Sequence, residues 1–164
     1  MMAILKMPNL ARGAGSAQPT RTETELADCP CDDVKAMLRK RGLRPTRQRM
    51  ALGRILFGRG GDRHVTAESL YEEARTARMP VSLATIYNTL HQFTKAGLLR
   101  QIAVDASRAF FDTNVTTHHH FLIESKNELV DIPCGDVVVG AVPRPPQGYE
   151  VARVDILIRL RKNR

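Results

Sequence analysis

One segment near the middle of the chain constrains the fold most, because it predicts a helix with both ends marked. Ser82 suits the N-cap position, where its hydroxyl accepts from a free backbone N–H of the first turn. Gly97 suits the left-handed residue that follows a helix, and Lys95 complements the helix dipole there. Apolar residues recur between them at helical spacing, so one stripe is expected to be buried. This stripe consists of Leu83, Ile86, Leu90 and Phe93.

The opposite face of this helix is small, uncharged and rich in hydrogen-bonding groups. It carries Ala84, Thr85, Asn88 and Gln92, with Tyr87 at its edge. A face that only meets solvent usually carries Glu and Lys, so this composition favours contact with base edges in a DNA groove. An ordinary polar helix face is the alternative interpretation.

The positive charge of the chain belongs to one segment. The chain has 25 Lys and Arg against 17 acids, a net charge of +8. Residues 34–64 hold ten basic residues and a single acid, Asp62, so the rest of the chain is close to neutral. The basic residues are Lys35, Arg39, Lys40, Arg41, Arg44, Arg47, Arg49, Arg54, Arg59 and Arg63. This segment directly precedes the expected DNA-reading helix, as a phosphate-binding surface should.

The order of predicted elements indicates an α+β protein that begins with a winged-helix DNA-binding domain. Residues 1–27 have no apolar period and are predicted to be a flexible tail. In residues 28–112, three short helices precede the DNA-reading helix, and strands at 99–104 and 109–112 form a hairpin after it. The expected N-caps of the three short helices are Asp32 or Asp33, Thr46 and Thr66. In a winged helix the last helix enters the major groove, and the hairpin lies beside it.

Residues 113–164 predict a small α/β dimerisation and ligand-sensing domain. Strands are expected at 118–123 and 129–132, and alternation of apolar and charged residues predicts a third from Glu150 to the C-terminal end. About fifty residues with three strands cannot bury enough apolar surface alone. We therefore expect a homodimer or a higher oligomer, which also suits a protein that reads two DNA half-sites.

Composition places the protein in the cytoplasm. No run of about 18 apolar residues could span a membrane, and the first residues lack the features of a signal peptide. Three cysteines, an odd number, argue against a disulfide scaffold and for a reducing compartment.

The triplet His118-His119-His120 is the most prominent set of candidate ligands. On a strand, His118 and His120 point to one side and His119 to the other, so the three imidazoles cannot all bind one small ion without help. They could serve two sites, bind haem iron axially, or form a run of surface histidines. Cys29, followed by a proline in the expected tail, is a second candidate haem ligand, with a reduced surface cysteine as the alternative.

Signals of catalysis are absent from the sequence. It has no Gly-rich phosphate loop, no Gly-x-Ser-x-Gly, no His-Glu-x-x-His and no pair of carboxylates beside a nucleophile. The protein is therefore not expected to be an enzyme. A metal-dependent hydrolase built on the histidine triplet is a remote alternative, because Glu124 is the only acid close to it in sequence.

Three ordered motifs of the chain are Gly42-Leu43-Arg44-Pro45-Thr46-Arg47-Gln48-Arg49, His64-Val65-Thr66-Ala67-Glu68-Ser69-Leu70-Tyr71 and Ser82-Leu83-Ala84-Thr85-Ile86-Tyr87-Asn88-Thr89-Leu90. Together they resemble the motifs of the ferric uptake regulator (Fur) family. The histidine triplet with Phe121-Leu122-Ile123, followed by Glu128-Leu129-Val130-Asp131-Ile132, looks most like the iron response regulator (Irr) branch. The resemblance covers residues 28–164. It implies a dimeric transcription regulator that binds double-stranded operator DNA.

The resemblance also implies site residues. The DNA-binding set is Arg44, Arg47, Ser82, Thr85, Tyr87 and Asn88. His64, Asp105 and His119 stand where the family places sensor-metal ligands between the two domains, and His118 and His120 stand at a second such site. Glu124 and Asn127 replace a Cys-x-x-Cys pair, so no structural four-cysteine zinc is expected.

Resemblance to the iron response regulator branch implies that haem is the signal, with the histidine triplet and Cys29 as haem ligands. The expected function is regulation of haem-biosynthesis and iron-uptake genes by repression, with activation at some promoters left open as an alternative. The protein would bind its operator when iron, sensed as haem, is scarce. The alternative is a regulator that senses Fe²⁺, Mn²⁺ or Zn²⁺ directly through His64, Asp105 and His119.

Overall fold

The computed structural model describes residues 31–58, 60–106 and 108–163. Its helices are α1 (Cys31–Lys40), α2 (Arg47–Phe57), α3 (Ala67–Thr76) and α4 (Leu83–Lys95). Its strands are β1 (His64–Val65), β2 (Arg100–Ala103), β3 (Ala109–Asp112), β4 (His119–Ile123), β5 (Glu128–Ile132) and β6 (Leu157–Leu160). The expected α+β class is confirmed. The predicted tail, and Cys29 with it, lies outside the described residues.

Local sequence signals set the helix ends. The three predicted N-caps Thr46, Thr66 and Ser82 each accept a hydrogen bond from the backbone N–H three residues later. Gly97 follows α4 with a φ of +70°, a conformation that costs glycine little because it lacks a Cβ. The sequence therefore predicts where α4 begins and ends.

The helices pack around one core to which α4 contributes three large side chains, Ile86, Leu90 and Phe93. Leu83 was expected to join them, but it is 37% exposed. It is the first residue of α4, a turn before the first buried residue, so helical spacing alone overestimates the length of the buried stripe. The other buried members of this core are Val34, Leu38, Leu52, Leu56, Val65, Ala67, Leu70, Ala74, Leu98, Leu99 and Phe111.

The first sheet has the strand order β1-β3-β2 and is antiparallel throughout. The predicted hairpin of β2 and β3 is present. Strand β1 was not predicted, because it has two residues and its partner β3 lies more than forty residues later in the chain. This pairing places His64 opposite Asp112.

The second sheet has the order β5-β4-β6, with β4 and β5 antiparallel and β4 and β6 parallel. The third predicted strand was expected to begin near Glu150, but the strand begins at Leu157. In the described part of the chain it pairs with β4 alone, which has five residues, so most of the alternating segment before Leu157 lies beyond the end of its partner strand.

A small second core joins the two sheets. Val104 and Phe110 of the hairpin region pack against Leu122 and Leu129 of the second sheet. The two sheets therefore face each other over few apolar residues, and polar contacts contribute to the junction. None of the described helices is both long enough and apolar enough to cross a membrane.

Candidate metal centre and nucleic-acid interface

Five side chains converge at the junction of the two sheets. They form the His/Asp cluster, which consists of His64, Asp112, His118, His120 and Asp131. The first sheet supplies two of them and the second sheet region supplies three. The cluster therefore connects the part of the chain that contains the helices to the part that follows the hairpin.

Strand register explains why these residues meet. His64 on β1 is paired with Asp112 on β3, and His120 on β4 is paired with Asp131 on β5. His118 lies two residues before His120, and residues two apart along an extended segment face the same side. Each sheet thus presents its own pair at the junction, and the facing sheets bring the pairs together.

Backbone contacts orient the His118 ring. Its Nδ1 lies 3.0 Å from the carbonyl oxygen of Thr116, which can only accept, so Nδ1 carries the proton. With the proton on Nδ1, Nε2 is the ring nitrogen that faces the cluster as a ligand atom. Arg100 on β2 donates to the carbonyl oxygen of His118 at 3.2 Å and pairs with Asp155 ahead of β6. The buried guanidinium thereby links the two sheets directly beside the cluster.

The ligand atoms are close together and poorly paired. His64 Nε2 is 2.8 Å from Asp131 Oδ1, and His118 Nε2 is 2.9 Å from both Asp112 Oδ2 and His120 Nε2. Nevertheless, His64 Nε2, Asp112 Oδ2 and Asp131 Oδ1 are buried without a hydrogen-bond partner among the described residues. Buried polar atoms that are near each other but unpaired are expected where a ligand completes the site.

Burial sets the protonation states that a cation requires. It lowers the pKa of His64, although Asp112 and Asp131 oppose the shift, so this imidazole is neutral at physiological pH. Burial alone would raise the pKa of Asp112, but the His120 imidazole and the Asn114 backbone N–H outweigh it, and the pKa falls below its usual value. The cluster therefore combines a neutral His64 imidazole with an ionised Asp112 carboxylate.

The residues present fit one divalent cation. Three imidazole nitrogens and two carboxylate oxygens are donors that suit Fe²⁺, Mn²⁺ or Zn²⁺. The five ligand atoms all lie within 4.8 Å of one another. Two ligands on opposite sides of an ion with bonds of about 2.1 Å are about 4.2 Å apart, so one ion can be bound by all five with small adjustments.

Two residues that the resemblance assigned to metal sensing lie away from the cluster. Asp105 is in the turn of the hairpin, where its carboxylate accepts from the backbone N–H and the guanidinium of Arg108. His119 is buried with its side chain on the opposite face of β4, and its Nδ1 has no hydrogen-bond partner in the described part of the chain. Of the expected ligands, the structure brings together His64, His118 and His120.

Sequence reasoning missed Asp112 and Asp131. Asp131 had a usable signal, because strands 119–123 and 128–132 joined by four residues form a hairpin that places residue 131 opposite residue 120. Asp112 had none, since its position depends on the distant pairing of β1 with β3. A hairpin register can be counted along the sequence, whereas a long-range pairing cannot.

The predicted DNA-binding residues lie on α4, at its N-cap, at the first residue of α2 and in the loop before α2. Arg44, Arg47, Asn88 and Tyr87 are exposed, and Thr85 is half-buried. The Ser82 hydroxyl is used in capping α4 and in a 3.0 Å contact with the Thr85 hydroxyl.

Neighbouring helices hold two side chains of the outer face of α4. Arg49 on α2 donates through Nε and Nη2 to Oε1 of Gln92, at 3.0 and 2.8 Å. The Tyr87 hydroxyl donates to Oε1 of Glu68 on α3 at 2.6 Å. The exposed face of α4 is therefore oriented by side chains from both helices beside it.

Comparison with known proteins relates the chain to ferric uptake regulators and to a peroxide-responsive repressor. The sequence model of the "Ferric uptake regulator family" matches residues 40–139. The ferric uptake regulation protein of Synechococcus elongatus is 30% identical over 128 residues, 76% of this chain and 87% of that protein. The peroxide-responsive repressor PerR of Staphylococcus epidermidis is 34% identical over 109 residues, 66% of this chain and 71% of that protein.

A solved structure supports the same relationship. The ferric uptake regulator from Pseudomonas aeruginosa, determined with manganese, superposes with a TM-score of 0.61 and 26% identity. The match covers 80% of this chain and 98% of that one.

The fold and the His/Asp cluster together define a metal-responsive transcription regulator. The helices and hairpin match the arrangement of a solved ferric uptake regulator, and the cluster gathers candidate cation ligands at the junction of the two sheets. The chain belongs to the ferric uptake regulator family. The narrower resemblance to the iron response regulator branch stays a prediction.

Proposed function

We propose that this protein binds operator DNA as a homodimer and that a divalent cation in the His/Asp cluster controls its affinity for that DNA. The observation that carries the proposal is the convergence of five ligand atoms, three of them unpaired, at the junction of the two sheets. A relative named for ferric uptake and a solved relative with manganese support Fe²⁺ or Mn²⁺, and imidazole and carboxylate ligands also suit Zn²⁺.

The surface of α4 supports its assignment as the helix that reads bases. Asn88 and Tyr87 offer hydrogen-bonding groups without charge, and the exposed Arg44 and Arg47 are candidate phosphate contacts. In a winged helix this helix lies in the major groove, and the β2–β3 hairpin lies beside it.

The outer face of the second sheet supports the homodimer. Register places Phe121, Val130, Ile158 and Leu160 on the face opposite to the cluster. Val130 is 41% exposed, and Ile158 and Leu160 are each 37% exposed. An apolar sheet face of this kind is usually covered, and a second copy would both cover it and bring two α4 helices to two half-sites.

The cation would act through its two sets of ligands. His64 and Asp112 belong to the first sheet, and the other three belong to the second, so a bound ion fixes one sheet against the other. This lowers the ordering cost of DNA binding, and each ion adds two positive charges to a protein that binds an anion. Both effects raise the affinity for DNA when the ion is bound.

Haem binding through His118, His119, His120 and Cys29 stays a prediction. The geometry favours an ion, because haem iron offers two axial positions whereas His118 and His120 converge with two carboxylates on one point. The same geometry argues against the hydrolase alternative, since a catalytic zinc is usually held by three protein ligands and keeps a position open for water.

The test is a selection of bound sequences from random DNA by the purified protein loaded with Mn²⁺. We expect a sequence with two related half-sites to be enriched and to be bound by one dimer. Enrichment of no sequence, with Mn²⁺, Fe²⁺, Zn²⁺ or haem supplied in turn, would contradict the proposal.

A further inference from the structure

A hydrogen bond between α3 and α4 controls which group Tyr87 can offer to a ligand. The Tyr87 side chain is 37% exposed on α4, and its hydroxyl donates to Oε1 of Glu68 at 2.6 Å. A phenol has one proton and two acceptor positions. While the proton is committed to Glu68, the oxygen can only accept from any other group that approaches it.

Ring contacts fix the position of that oxygen. The Tyr87 ring stacks on His91 with centroids 6.3 Å apart and an interplanar angle of 24°. The His91 ring in turn meets the edge of Phe111, which is fully buried, at 5.8 Å. Tyr87 and Glu68 both line a cleft of about 630 Å³ between α4 and the β2–β3 hairpin. A group that enters this cleft meets the phenol oxygen in a defined place.

The direction of the hydrogen bond follows from the two acidities. The hydrogen bond from Tyr87 lowers the pKa of Glu68, and the same bond raises the pKa of Tyr87. At physiological pH the carboxylate is therefore ionised and the phenol is neutral. An ionised carboxylate has no proton to donate, so the hydroxyl must be the donor.

We propose that Glu68 determines base specificity by making Tyr87 an acceptor toward DNA. In the major groove the exocyclic amino groups of adenine and cytosine donate, whereas thymine O4 and guanine O6 accept. An acceptor at Tyr87 therefore favours adenine or cytosine at the contacted position. Glu68 acts through Tyr87 and is a positioning residue. The inference rests on the proposed function, in which α4 lies in the major groove.

The experiment compares the base preferences of four proteins in a selection from random DNA. Wild type should prefer adenine or cytosine at one position of each half-site by about fivefold, the value of one net hydrogen bond. Glu68→Ala frees the hydroxyl to donate, so the preference should disappear or move to thymine or guanine. Tyr87→Phe should remove the preference, and the double variant should behave as Tyr87→Phe alone.

Two further variants separate this role from charge and folding effects. Glu72→Ala removes the same charge from α3 at an exposed residue that pairs with Arg75, and it should keep the wild-type preference. Glu68→Gln keeps a neutral acceptor and should retain the preference in weaker form.

The outcomes distinguish this inference from the function on which it rests. If Glu68→Ala shows the same base preference as wild type, the inference is overturned and the proposed function is left intact. Tyr87→Phe with an unchanged preference would also overturn it, because Glu68 would then contact the base itself. Failure of wild type to select any sequence would overturn both.

Discussion

Residues of one type take different roles here because strand geometry and neighbours decide what each can contact. His118 and His120 face the junction of the sheets, while His119 between them faces the other way. Two aspartates of the same hairpin differ in the same manner. The Asp105 carboxylate is paired with Arg108 at the turn, whereas Asp112 is fully buried and faces imidazoles.

Replacing Asp131 by Asn tests which aspartates bind the ion. The variant keeps the shape of the side chain but removes one charged ligand, so we expect the affinity for Mn²⁺ to fall by at least about tenfold, as loss of a supporting group already does at metal sites. Isothermal titration calorimetry measures the affinity for Mn²⁺. Asp105→Asn is the matched control and should bind Mn²⁺ like wild type. If Asp105→Asn loses the ion and Asp131→Asn keeps it, the cluster is wrongly assigned.

Sequence predicted the features of this chain that depend on near neighbours. The caps Thr46, Thr66 and Ser82 are confirmed because a cap is decided by the residues within one turn. The predicted start of β6 was wrong because alternation of apolar and charged residues shows that a strand could form but not where its partner strand ends. Asp112 was missed because its strand pairs with a strand that is distant in sequence.

At the scale of elements, α4 is connected to the His/Asp cluster by a short series of packed rings. Tyr87 stacks on His91, His91 meets Phe111, and Phe111 directly precedes the cluster residue Asp112 on β3. Proximity alone does not establish coupling between two sites. The series does identify His91 as a side chain whose removal should weaken the coupling between ion binding and DNA binding, although His91 is not a ligand of the ion.

His91→Leu should reduce the effect of the ion on DNA affinity while leaving the affinity for the ion nearly unchanged. The reason is that His91 is not a ligand of the cluster but lies between Tyr87 and Phe111. DNA affinity measured with and without Mn²⁺ gives the coupling factor for each protein, and titration without DNA gives the affinity for the ion. An unchanged coupling factor would show that the rings do not carry the effect.

At the scale of the whole molecule, the second sheet has one face committed to the junction and one face that remains apolar and exposed. Among the described residues, the buried apolar members of the junction core are Val104, Phe110, Leu122 and Leu129. Such a small core leaves the stability of this part dependent on what covers the outer face. A second copy of the chain is the partner that the proposed function requires.

Val130→Glu should therefore dissociate the homodimer and weaken operator binding, because it places a charge in the centre of the outer face. Sedimentation velocity reports the mass in solution. Val138→Glu is the matched control, since Val138 is 91% exposed in the loop between β5 and β6. If Val130→Glu forms dimers with the mass and stability of the wild-type dimer, the dimer interface does not include this face.

The most direct test of the account is the affinity of the wild-type protein for its selected operator, measured by fluorescence anisotropy during a titration with Mn²⁺ after chelation. We predict at least about a tenfold gain in affinity, within the usual range of allosteric coupling. Asp112→Asn, which removes a buried charged ligand, should lose most of this gain. Equal affinity with and without the ion, or tighter binding after chelation, would contradict the account.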